Sequence, residues 1–107
     1  MFENLYNELI DKYGDSFNWT KILKTKTSFL EELNSELSKM HPLYKRAVKA
    51  VAKCDSNDDV LFLLDNDNWA IVHLTYSKNN IDEFPKYKYF SNISDAMTHI
   101  EEQFIVL

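Results

Sequence analysis

The chain has one glycine, one cysteine and two prolines in 107 residues, and each scarcity removes a class of protein. With Gly14 alone, no glycine-rich loop can cradle a phosphate, so nucleotide chemistry of that kind is excluded. A lone Cys54 can form no intrachain disulfide, and the expected setting is a reducing cytoplasm. So little glycine and proline also argues against linkers, collagen-like repeats and extended disorder. The longest unbroken apolar run, Val60 to Leu64, falls far short of the roughly 18 residues a membrane-spanning helix needs, so no membrane span is expected. The opening MFENLYNELIDKY carries acids and amides where a secretory signal would be basic and then continuously apolar.

What is present is an ordinary globular composition, 45% apolar and 27% charged. At this length folding hides roughly 60–70% of the unfolded surface, enough for one domain over residues 1–107. The net charge of -5 is unevenly spread. Residues 1–53 hold nine Lys or Arg against seven acids, and residues 54–107 hold three against ten. An acidic second half repels nucleic acid and favours a basic protein partner.

The pattern along the chain predicts an α+β fold, with a helical region over 1–40 and a sheet plus closing helix over 41–107. Phe2, Leu5, Tyr6, Leu9, Ile10 and Tyr13 recur at helical spacing up to Gly14. Trp19, Ile22 and Leu23 suggest a short helical turn above a basic edge of Lys21, Lys24 and Lys26. Ser28 and Glu31 have capping-box spacing ahead of Phe29, Leu30, Leu33 and Leu37, with continuation forbidden at Pro42. From Tyr44 the period becomes two: Val48, Ala50, Ala52 and Cys54 alternate with Lys49, Val51 and Lys53, as in a strand with one wet face. Asp55 to Asp58 turns the chain into Val60–Leu64, apolar on both faces, and Asp65 to Asn68 turns it again into Trp69–Thr75. After a polar loop, Pro85 leads to an edge strand through Tyr87, Tyr89 and Phe90. Asn92 and Asp95 then cap a final helix carrying Ile93, Met97, Ile100 and Phe104 on one face. The expected architecture is N-terminal helices, an antiparallel meander of about four strands, and a C-terminal helix packed on the sheet.

Chemistry-bearing residues are sparse. Alternation places Trp69, His73 and Thr75 on one face of the third strand, where they form a mixed patch able to bind a ligand or partner if that face is open. If helices cover both faces, His73 is instead a buried, satisfied imidazole. Cys54 and His73 would lie two strand spacings apart, roughly 10 Å, too far for a thiol and its base. The acids Asp55, Asp58, Asp59, Asp65 and Asp67 sit in two turns at opposite ends of one strand and cannot converge. A calcium loop starting at Asp65 fails because Ala70 and Tyr76 stand where its glycine and glutamate belong. His41, His73 and His99 have no zinc spacing. No metal, cofactor or catalytic residue is therefore assigned. Lys45, Arg46, Lys49 and Lys53 form a solvated basic stripe. The segment from Asp82 and Glu83 through Phe84 to Tyr87 and Tyr89 joins acids to aromatics and suits recognition of a basic protein.

The segments HPLYKRAVKAVAKCDSNDDVLFLL, WAIVHLTY, FPKYKYF and SNISDAMTHI resemble a group of small bacterial cytosolic proteins to which no reaction is assigned. The resemblance covers residues 41–100. It rests on His41, Pro42, Leu43 and Tyr44, on Asp58 to Phe62, on Val72 to Thr75 and on Pro85. It implies a fold unit, and in size and charge the build is similar to toxin-immunity proteins. The expected function is stoichiometric protein binding at Trp69, His73, Thr75, Asp82, Glu83, Phe84, Tyr87 and Tyr89, as by an immunity protein covering a basic toxin. The alternatives are a small-molecule or hydrolytic pocket around His73, and an architectural subunit that self-associates. The sequence leaves the oligomeric state open.

Overall fold

Five residues from Val60 to Leu64 without a polar side chain need cover on both faces, and the architecture follows from that demand. In the computed structural model, which describes residues 1–77 and 83–106, this segment belongs to the central strand of a five-stranded antiparallel sheet. The strands are β1 (Trp19–Lys21), β2 (Ala47–Cys54), β3 (Asp59–Leu64), β4 (Trp69–His73) and β5 (Tyr87–Phe90), in spatial order β1-β2-β3-β4-β5. Helices α1 (Phe2–Tyr13) and α3 (Ile93–Ile105) cover one face; α2 (Ser28–Glu36) and the segment 37–46 cover the other.

Alternation along β3 divides the core in two. Leu61 faces α1 and α3, joining Phe2, Tyr6, Leu9, Trp69 and Ile100. Val60, Phe62 and Leu64 face α2, joining Leu33, Leu43, Val72 and Leu74. The two helices on the first face share its apolar core and are also tied to each other. The Lys12 ammonium and the Tyr13 hydroxyl both donate to Glu101 Oε2, at 2.7 and 2.6 Å.

The helix boundaries have local causes. Gly14 ends α1 at φ 60 and ψ -142, a conformation closed to side-chain-bearing residues, and its N–H donates to Ile10 O. The Asn92 side chain accepts from the Asp95 N–H at 2.8 Å, capping α3 as its sequence predicts. In α2 the first helical residue is Ser28 and Thr27 is the cap, one position earlier than the capping-box spacing implies. The Thr27 hydroxyl reaches Glu31 Oε2 at 2.7 Å.

Three expectations are corrected. The sheet has five strands because Trp19–Lys21 pairs with Cys54–Ala52 instead of coiling into a helical turn. Its apolar residues happen to fall at helical spacing, but Trp19 is drawn into the α1 and α3 core. Next, β2 does not alternate evenly, since its register against β3 slips at Val48 and again at Val51. The slip at Val51 sends Ala50 toward α2 while Val51, Ala52 and Cys54 all join the opposite core. Finally, β2 has no single wet face: the consecutive residues Val48 and Lys49 are both exposed, whereas Val51, Ala52 and Cys54 are buried.

Because Phe62 is fully buried in the α2 core, Phe62→Ala should cost about 3–5 kcal/mol in denaturant unfolding. Val48→Ala, at an exposed position, should shift stability by no more than about 0.5 kcal/mol in the same assay.

Candidate functional site

Trp69, His73 and Thr75 do not form a common patch. Trp69 is buried at the start of β4, opposite Leu63 and Phe90, with its indole 6.4 Å from the Phe2 ring. His73 lies at the other end of the same strand. Helices cover both faces of the sheet, yet His73, the last residue of β4, is not buried: its side chain is 56% exposed. Its Nδ1 is 2.8 Å from Asp59 Oδ1, across the final register pair of β3 and β4.

Thr75 has a structural partner. Its N–H and its hydroxyl both donate to Glu36 Oε1 at 2.8 Å, and the Tyr76 N–H donates to Glu36 Oε2 at 2.9 Å. One buried carboxylate at the end of α2 thus accepts three hydrogen bonds from the chain leaving β4. Burial pushes the Glu36 pKa up, but hydrogen bonds with Glu32, Thr75 and Tyr76 outweigh it and hold the carboxyl below the ordinary carboxylate range.

The aromatic segment is divided between interior and surface. Asp82 lies outside the described residues. Glu83 is exposed, 3.7 Å from the Lys86 ammonium, which sits 4.8 Å from the centre of the half-buried Phe84 ring. Tyr87 and Tyr89 are exposed on β5, an outermost strand of the sheet. Tyr87 rests on His41 with ring centres 5.2 Å apart, and Tyr89 lies 5.7 Å from the Arg46 guanidinium.

His41 proves to be the buried histidine. Its Nδ1 accepts from the Leu43 N–H at 3.1 Å, which leaves the proton on Nε2 to be donated to Pro85 O at 2.9 Å. The HPLY segment and Pro85, 44 residues apart, are thereby joined by one imidazole.

Three of the five turn acids are likewise occupied. Asp65 accepts from Arg46, Asp55 from the Thr20 hydroxyl, and Asp59 meets His73. Among the described residues, no group of three or more His, Cys, Asp or Glu could hold a metal ion.

Two concavities accompany these residues. A cavity of about 130 Å³ opens between β3 and α3, lined by Asn18, Cys54, Asp59 and His99 among others. Burial lowers the His99 pKa and Lys88 adds to the effect, against the opposing pull of Glu102 and Asp59. That volume suits a few waters. Cys54 is buried, with its sulfur 3.4 Å from the Ser56 hydroxyl.

The second concavity is a groove of about 710 Å³ beside β2, within the range of ligand sites. Phe2, Leu63 and Trp69 contribute to its floor and Lys21, Lys24, Lys26 and Lys49 to its rim. The first three lysines form the basic edge visible in the sequence, and the fold brings them to β2. The missing signal was the strand character of Trp19–Lys21, which carries the following loop alongside Val48 and Lys49.

No family model matches the chain, and no curated protein or solved structure matches it. Among the described residues, no helix is long and apolar enough to cross a membrane.

The Glu36 clamp makes stability depend on pH. A folded-state pKa below the unfolded one adds stability that is fully present above the ordinary value of 4.5 and is lost as pH falls through the folded value. Glu36→Gln should cost about 2–3 kcal/mol near neutral pH, because an amide N–H₂ would face backbone donors. Urea unfolding should show the wild-type advantage over this variant shrinking from about pH 7 to about pH 3.

Proposed function

We propose that this protein is a non-catalytic binding domain that engages another protein stoichiometrically through the β5 edge. The observation that carries this reading is the pair Tyr87 and Tyr89, 39% and 44% exposed on a strand whose outer side has no strand partner among the described residues. Tyrosine gives a large, stiff contact area with a polar tip, and an open strand edge offers backbone hydrogen bonds to a partner. His41 and Arg46 back the two rings from within the fold, which limits the side-chain entropy lost on docking.

The finer form of the proposal is an immunity-type role, in which the chain covers a basic toxin in the cytoplasm. The net charge of -5 supports a basic partner, and the unpaired Cys54 fits a reducing compartment. Much of the acidic surplus is already engaged internally, at Asp55, Asp59, Asp65 and Glu101. Recognition is therefore assigned to the aromatic edge, with charge contributing to the rate of encounter.

A second reading draws on the Asp59–His73 pair, in which a carboxylate orients an exposed imidazole as a general base would require. Among the described residues no side-chain nucleophile is hydrogen-bonded to His73, and neither concavity includes it. If this pair were catalytic, His73→Ala would abolish a hydrolytic activity found across a broad substrate panel; unchanged turnover would dismiss it.

The test of the main reading is to purify the protein with its partner from the native host and measure the affinity of the reconstituted complex. Tyr87→Ala with Tyr89→Ala should weaken it by about 30-fold or more while the melting temperature stays close to wild type. Undiminished affinity in a folded double variant would refute the assignment of this edge.

A further inference from the structure

The edge of the sheet opposite β5 is built for a different ligand. β1 is three residues long and β2 is eight, so β1 pairs only with Ala52–Cys54. After a last hydrogen bond from the Ile22 N–H to Val51 O at 2.9 Å, the chain turns away through Leu23 and Lys26 toward α2. On the side away from β3, Ala47–Ala50 have no strand partner among the described residues.

The groove of about 710 Å³ follows this open stretch. From the α1 side it is floored by Phe2, Leu63 and Trp69, and from the α2 side by Ile22 and Leu30. Val48, 54% exposed, stands between them. A strand laid against Ala47–Ala50 would direct alternate side chains to the two floors, since successive side chains point to opposite faces.

Charge selects among possible occupants. Lys21, Lys24, Lys26 and Lys49 line the groove against a single acid, Glu3. None of the four makes a salt bridge with a described carboxylate, in a chain with 17 acids against 12 Lys or Arg. A second copy docked edge to edge would bring the same lysines together, and a basic segment would meet the same repulsion. The register slip at Val48 limits the number of regular backbone pairs, so affinity must come from inserted apolar side chains and ion pairs as well.

We infer that the open edge of β2 accepts an extended protein segment with apolar side chains at its centre and Asp or Glu flanking them, as an added outer strand. The four open residues span about 13 Å, so the segment in contact is short. This extends the protein-binding reading to the opposite edge of the sheet, and the two surfaces fail independently.

The test is a titration of the isotope-labelled protein with a short synthetic peptide carrying a central run of valines flanked on both sides by aspartate and glutamate, followed by amide chemical shifts. The same peptide with lysine in place of its acids serves as the control, and decanoate as the small amphiphile. The acidic peptide should shift the amides of Val48, Lys49 and Ala50 and slow their hydrogen exchange. Lys24→Glu with Lys49→Glu, both at the groove rim, should weaken it by about tenfold or more, and raised salt should act in the same direction. Tyr87→Ala with Tyr89→Ala should leave peptide binding unchanged. Equal binding of the lysine peptide, shifts produced by decanoate but not by the acidic peptide, self-association through this edge, or no binding of any probe would each overturn the inference.

Discussion

The two-sided burial of β3 is the constraint on which the rest of the molecule depends. A strand running Val60-Leu61-Phe62-Leu63-Leu64 cannot leave either face in water, so one helical layer is insufficient. The chain meets the demand by placing α1 and α3, from its two ends, on one face and α2 with the HPLY segment on the other. Each layer then needs its own tether. Glu101 joins α1 to α3, Glu36 joins α2 to the exit of β4, and His41 joins the HPLY segment to Pro85.

These tethers explain why residues that look chemical in the sequence serve structure. Thr75 is bound to a buried carboxylate, and His41 is saturated at both ring nitrogens. Such buried polar ties cost a great deal to break, because each broken one leaves a buried group unsatisfied. The two edges of the sheet are where the proposed recognition surfaces lie. They differ in kind: β5 offers tyrosines, and the open part of β2 offers backbone, apolar floor and lysines.

Legibility in the sequence followed the range of the interactions involved. The α1 stripe, the Asn92 cap, the two-faced β3 and the tight turns around it depend on neighbours a few residues away, and all were readable. β1 was not, because three residues are too few to establish a period and Trp19, Ile22 and Leu23 imitate a helical face. The slips in β2 defeated strict alternation, since nothing in AVKAVAKC marks which residue is extra. Exposure of His73 depends on the packing around the end of β4, and the groove on bringing Lys21–Lys26 beside Val48 and Lys49. Both are tertiary facts with no local signature.

A central strand packed on both faces coexists with a β2 edge left open along Ala47–Ala50. Native-state amide hydrogen exchange of the free protein tests it directly. The β3 amides should exchange only at the rate set by global unfolding, while amides within Ala47–Ala50 that point away from β3 should exchange through local fluctuations. Uniform slow exchange across all of β2 in the unliganded monomer would contradict it, because the edge would then be covered.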